Sequence, residues 1–191
     1  MNAAVQTQEA IHDFDFLRGS WQVHNRRLLK RLQHSNEWES FDAMTPENFK
    51  VLDGLGNIDE LHTEDGAIGM SLRFFNRETE QWSIYWVSHR DGILQPPVVG
   101  GFSAGVGIFE GADVWEGKPI RVRFTWSDIT PRSARWQQAF SPDDGHTWEV
   151  NWVMEFTRIE DAKIFSEGTG LAGHIGDMPL QKPFWQEKYL K

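Results

Sequence analysis

The chain contains no cysteine, which excludes a disulfide framework, a thiolate metal site, an iron–sulfur cluster and a cysteine nucleophile. It has no apolar run of the ~18 residues that a membrane-spanning helix needs, so no membrane association is expected. The segment MNAAVQTQEAIHDFDF carries acids and glutamines where a secretory signal would carry its apolar stretch, and a cytoplasmic location is expected. Positive charge is short: 19 Lys and Arg stand against 28 Asp and Glu, a formal net charge of -9. That balance opposes phosphate neutralisation, so nucleic acid is not an expected partner. Motifs are missing as well. There is no G-x-S-x-G nucleophile elbow, phosphate loop or dinucleotide fingerprint, and none of the seven histidines stands in H-x-H or H-E-x-x-H spacing. No metal centre and no cofactor are therefore expected.

What the chain does have is tryptophan and phenylalanine, ten and thirteen of them, beside only two tyrosines. These rings occur in segments that alternate with period two, the signal of a strand with one buried face. In IRVRFTW, Ile120, Val122, Phe124 and Trp126 share one side. In TWEVNWVMEFTR, Trp148, Val150, Trp152, Met154 and Phe156 do so. Weaker alternation groups Ile68, Met70, Leu72 and Phe74, then Trp82, Ile84 and Trp86, then Ala134, Trp136, Gln138 and Phe140. Turn signals at Asp65-Gly66, Asp91-Gly92, Glu116-Gly117, Thr130-Pro131 and Asp143-Asp144-Gly145 leave no room for crossover helices. Strands are predicted over 20–32, 36–50, 55–63, 67–76, 81–89, 98–103, 105–111, 119–128, 133–141 and 147–159. About ten consecutive antiparallel strands joined this way close into an up-and-down β-barrel, an all-β fold in one domain over residues 1–160. Ile11, Phe14 and Leu17 stand at helical spacing, which predicts a short N-terminal helix plugging one end. Residues 161–191 fit no strand series and are expected to be an extension that packs on the barrel or reaches a partner.

The segment Phe14-Asp15-Phe16-Leu17-Arg18-Gly19-Ser20-Trp21 contains Gly-x-Trp at the start of the first strand, which resembles the opening motif of lipocalin-like barrels. With LGNIDEL, RFFNRETEQWSIYW and RWQQAFSPDDGHTWEVNWVMEFTR it is similar to a bacterial family of uncharacterised proteins with a lipocalin-like, or calycin, barrel. The resemblance spans about residues 13–159. It implies a barrel like those of lipocalins and fatty-acid-binding proteins, in which Trp21 closes one end and Arg158 packs across it. It implies no activity, since fold does not confer function.

Parity then supplies candidate ligand contacts. If Arg158 faces inward with the Trp148–Phe156 set, then Trp21, Val23, Asn25 and Arg27 face inward on the first strand. Trp38, Phe74, Trp82, Trp86, Trp126, Trp136 and Trp152 are expected to converge on the interior, either filling it or lining a cavity. Asn25, Arg27 and Gln138 are expected to select an anionic or hydrogen-bonding group. A desolvated Arg27 needs either an anionic ligand or a carboxylate within the chain. Asp42 is placed on the Trp38 side as that carboxylate, and as the one candidate acid or base. His24 and His89 are expected on the outer face.

The expected function is binding of a small, largely apolar or aromatic molecule in an aromatic-lined cavity. Two alternatives stand beside it. One is a small barrel enzyme acting on an aromatic or lipid-like metabolite through Asp42 and Arg27. The other is an interaction module whose tail, with Phe184, Trp185 and Tyr189, docks on a partner or on a second copy in a homodimer.

Overall fold

The computed structural model describes residues 10–159; the 161–191 extension, with Phe184, Trp185 and Tyr189, lies outside the described residues. Eleven strands form one antiparallel sheet: β1 (Trp21–Leu28), β2 (Trp38–Thr45), β3 (Asn48–Val51), β4 (Gly56–Thr63), β5 (Gly66–Asn76), β6 (Gln81–Ser88), β7 (Val98–Ser103), β8 (Val106–Trp115), β9 (Lys118–Ser127), β10 (Ser133–Ser141) and β11 (Glu149–Arg158). The sheet closes in two places. β1 pairs with β11, and β2 and β3 together occupy one position between β1 and β4, through Met44 opposite His62 and Asn48 opposite Asp59. The barrel therefore has ten positions around its circumference. No helix among the described residues is long and apolar enough to cross a membrane.

Local chemistry explains where the strands depart from the sequence-based expectation. The strand predicted over 36–50 is broken at Pro46-Glu47, because proline offers no N–H to a ladder. The first strand stops at Leu28 rather than continuing to residue 32, since the following turn holds Leu32 and His34 at φ of 56° and 54°. Of the predicted N-terminal helix, the described residues show Ala10 in helical conformation and a 3₁₀ turn, Asp15–Leu17, while its earlier residues lie outside the described ones. Phe14 and Leu17 are both buried, and a repeat of three residues per turn sets them on one side.

Two bulges reset the facing of side chains. On β11, Gln138 opposes Trp152 and Ala139 opposes Val150, so Asn151 is the extra residue. Trp152, Met154 and Phe156 stay inside. Val150, predicted on their face, is turned outward and 39% exposed, and Trp148 lies under the Arg123 guanidinium at 3.8 Å. The other bulge lies between Leu61 and His62, opposite Ile68.

The core gathers at one end. Phe14 stands edge-on to Trp82 at 5.0 Å and to Phe102 at 5.1 Å, with Phe109 at 5.6 Å. The indoles of Trp21 and Trp82 donate to the carbonyls of Leu17 and Ala10, both at 2.9 Å, and so tie the plug to the wall. Arg158 lies over Trp21 at 4.1 Å. Its guanidinium donates to the carbonyls of Phe16, Arg18 and Pro131.

Asp13, in the plug, is pushed up from 3.8 to about 6 by burial, against a smaller opposing effect of His12. A carboxyl whose folded value is raised holds its proton more tightly in the fold, so the group costs stability as pH rises from 3.8 through about 6. Asp13→Asn is expected to raise the thermal midpoint at pH ~8 and to leave it nearly unchanged at pH ~3.5, measured by calorimetry across that range. An equal effect at both ends would show that Asp13 ionises freely.

Candidate functional site

Above the closed end the barrel holds a cavity of about 540 Å³. Its wall is aromatic because the inner positions of β6, β9, β10 and β11 carry Trp86, Phe124, Trp126, Trp136, Phe140 and Trp152. The rings meet edge to face. Trp86 and Trp152 stand 6.2 Å apart at 87°, Trp136 and Trp152 5.7 Å apart at 85°, and Phe124 and Trp136 4.8 Å apart. Such pairs satisfy the ring quadrupoles while leaving faces free for a flat guest. Neighbouring inner positions on β5 are small. A Cβ on Gly69 would overlap the Trp86 ring, and Ser71 sits directly opposite Trp86.

The floor is polar. Arg73, on β5, donates to Asp59 Oδ2 at 2.5 Å and to Asn57 Oδ1 at 2.9 Å, and Asn48 Nδ2 reaches Asp59 Oδ2 at 2.9 Å. The pair is almost wholly buried, with side chains 5% and 10% exposed. The Arg73 guanidinium also lies over the Phe14 ring at 5.4 Å, which joins the floor to the plug. Arg73 Nε and Asn48 Oδ1 find no hydrogen-bond partner. This network escaped the sequence reading, which took the apolar set of β5 as the inner face. The structure reverses that. Ser71, Arg73 and Phe75 face inward, while Phe74 points outward and packs on Gly56. Hydrophobic residues occur on both sides of this strand, so alternation alone could not choose a face.

At the mouth Arg27, facing inward, lies 5.6 Å over Trp152 and is held by Glu39, with Nε–Oε1 at 2.8 Å and Nη2–Oε1 at 2.6 Å. Glu39, not Asp42, is its carboxylate, because Arg27 and Glu39 are direct cross-strand partners. The same register puts Phe41, Ala43 and Thr45 opposite Asn25, Val23 and Trp21, and so inside. Trp38 and Asp42 consequently fall on the outer face. Trp38 takes Arg26 over its ring at 5.3 Å, and Asp42 pairs with His24 at 2.8 Å on the exposed surface. Neither Trp38 nor Asp42 reaches the cavity. His89 is likewise exposed.

The remaining sequence candidates divide by role. Trp86, Trp126, Trp136, Gln138 and Trp152 line the cavity, as does Arg27. Gln138 donates to Asn151 at 2.8 Å. Asn25, fully buried, accepts from the Trp152 indole at 3.0 Å and donates to its own strand at Val23, so it positions the ring rather than presenting itself to a guest. Trp82 faces inward within the plug cluster below the cavity. The mouth also has a residue that parity could not reach: Arg31, in the turn after β1, lies over Trp115 at 4.9 Å and Phe140 at 5.5 Å.

Among the described residues no group of three or more His, Cys, Asp or Glu side chains is placed to hold a metal ion. No protein-family model matches the chain, and no curated protein is similar to it. The arrangement offers burial for a flat apolar body, with a neutralised ion pair beneath it and guanidinium groups above.

Removing one partner of the floor pair leaves a buried, unbalanced charge. Asp59→Ala is expected to cost roughly 3–5 kcal/mol in urea unfolding, and the double replacement Asp59→Leu with Arg73→Met to recover most of that loss. If the double variant were as unstable as Asp59→Ala, the pair would be contributing more than mutual neutralisation.

Proposed function

We propose that this chain is a lipocalin-like binding barrel that takes up a small, largely apolar or aromatic molecule between the rings of β6, β9, β10 and β11. The observation that carries the reading is the cavity of about 540 Å³ lined by Trp86, Phe124, Trp126, Trp136, Phe140 and Trp152. A well-packed core leaves few voids larger than a water molecule; this one has the size of a ligand site and converges on a few polar groups. Burying ~300 Å² of apolar guest surface there is worth roughly 7 kcal/mol before the costs of association, so burial against the rings supplies the main driving force for binding. With Asp42 on the outer face, the enzymatic reading loses the particular acid or base it was built on, and binding is what the aromatic interior supports best.

The neutral fluorescent probe N-phenyl-1-naphthylamine tests this directly. It is expected to bind with a rise in emission, and Trp152→Ala or Trp86→Ala to weaken it by about tenfold. Trp21→Ala, which opens the plugged end, is expected to lower the unfolding midpoint more than either. Absence of binding, or equal affinity in all variants, would overturn the assignment. Native mass spectrometry of freshly purified protein adds the mass of any molecule carried from the cell.

A further inference from the structure

We infer that Arg31 receives the anionic end of the ligand, so that the cavity takes amphipathic monocarboxylates: an apolar or aromatic body along the tryptophan wall and a carboxylate at the mouth. This rests on the binding-barrel reading and adds the chemical class of what is bound.

The turn that carries Arg31 is fastened at several points. Leu29 N–H donates to the Glu37 carbonyl at 2.9 Å, Lys30 pairs with Glu37 at 3.0 Å, and Leu32 N–H donates to Glu149 Oε1 at 2.6 Å. Arg31 is therefore placed by its backbone, with its guanidinium against Trp115 and Phe140, both of which line the cavity. Stacking uses the face of the guanidinium and leaves its in-plane N–H donors for an acceptor. Within the described residues Arg31 makes no hydrogen bond and no ion pair. The neighbouring carboxylates are committed: Glu39 to Arg27, and Glu149 to the Leu32 amide.

The electrostatics point the same way. Burial first, and then the like charge of Arg27, bring the Arg31 guanidinium down from 12.5 to about 10, partly opposed by Glu149 and Glu39. It stays cationic at neutral pH, partly desolvated and beside a second cation. An anion at this position relieves both penalties. Arg27 is already neutralised by Glu39, so Arg31 is the guanidinium left against the aromatic wall with no carboxylate bound to it, while a dianionic phosphate would meet the charges of Glu39 and Asp113, both of which line the cavity. A planar carboxylate matches the guanidinium fork.

The test is displacement of N-phenyl-1-naphthylamine by two matched pairs, naphthalene-2-acetate with naphthalene-2-acetamide and decanoate with decanamide. In the unaltered protein each carboxylate is expected to displace the probe about tenfold more effectively than its amide. Arg31→Gln is expected to bring that ratio towards one, and Arg31→Lys, which keeps the charge without the fork, to leave an intermediate ratio; the unfolding midpoint of each variant shows that it is folded. A ratio near one in the unaltered protein, or a ratio that survives Arg31→Gln, overturns the assignment while leaving the cavity reading intact. Failure of the probe itself to bind overturns both.

Discussion

One guanidinium holds the closed end of this barrel. Arg158 is the last residue of β11, directly opposite Trp21, the first residue of β1. Stacked on that indole, it donates to carbonyls on both sides of the seam: Phe16 and Arg18 before β1, and Pro131 in the turn between β9 and β10. A lysine could supply the charge but not three donors in a plane that also stacks. The chain makes room for it at Gly19, where φ is +91° and a Cβ would come within 2.9 Å of Arg158 Nη1. Both the backbone conformation and the close approach call for glycine. The Gly-x-Trp spacing is thus the imprint of a contact made by a residue at the other end of the meander.

With that end shut, the remaining geometry follows from width. A sheet of ten positions encloses more space than its inner side chains readily fill. The aromatic residues respond in two ways. Near the plug Phe14, Phe102, Phe109 and Trp82 pack into a continuous cluster. Higher up, Trp86, Trp136 and Trp152 brace one another edge to face around open space. Asn25 fixes the Trp152 ring from behind through its indole N–H, so the wall is oriented by a buried polar contact as well as by packing. Pre-oriented rings lose little freedom when a guest arrives, which favours binding over reorganisation.

How much of this could be read from the chain depended on whether one face of a strand was plainly apolar. In β9, from Ile120 to Ser127, the inner residues are all apolar and the outer ones all polar, and both the strand and its facing follow from the pattern. In β5 the outer residues Met70, Leu72 and Phe74 are apolar while the inner ones include Ser71 and Arg73, so the ordinary rule selects the wrong side. In β2 two half-apolar faces compete, and only the pairing of Arg27 with Glu39 across the ladder decides between them. The bulge at Asn151 is silent in the sequence and turns Trp148 and Val150 away from Trp152. Arg31 lies in a turn, where period-two reasoning has no content. Signals existed for some of these: an arginine and an aspartate at inner positions of adjacent strands, Arg73 and Asp59, stand nearly opposite once register is known.

Three of the four arginines that line the cavity, Arg73, Arg27 and Arg31, show why an anion would be met at the mouth rather than at the floor. Arg73, 5% exposed, is neutralised by Asp59 and braced by Asn57, because an unpaired charge at that depth would carry the full desolvation penalty. Arg27, 27% exposed, is matched to Glu39. Arg31 is the one left against an aromatic face with no carboxylate of the chain bound to it, and it lies where solvent still offsets part of its cost. A cation awaiting a ligand is affordable only where water can hydrate it in the ligand's absence. Desolvation thus sets an order with depth: a closed pair below, a matched pair in the wall, and an open guanidinium at the rim, which directs a charged end outward and an apolar body in.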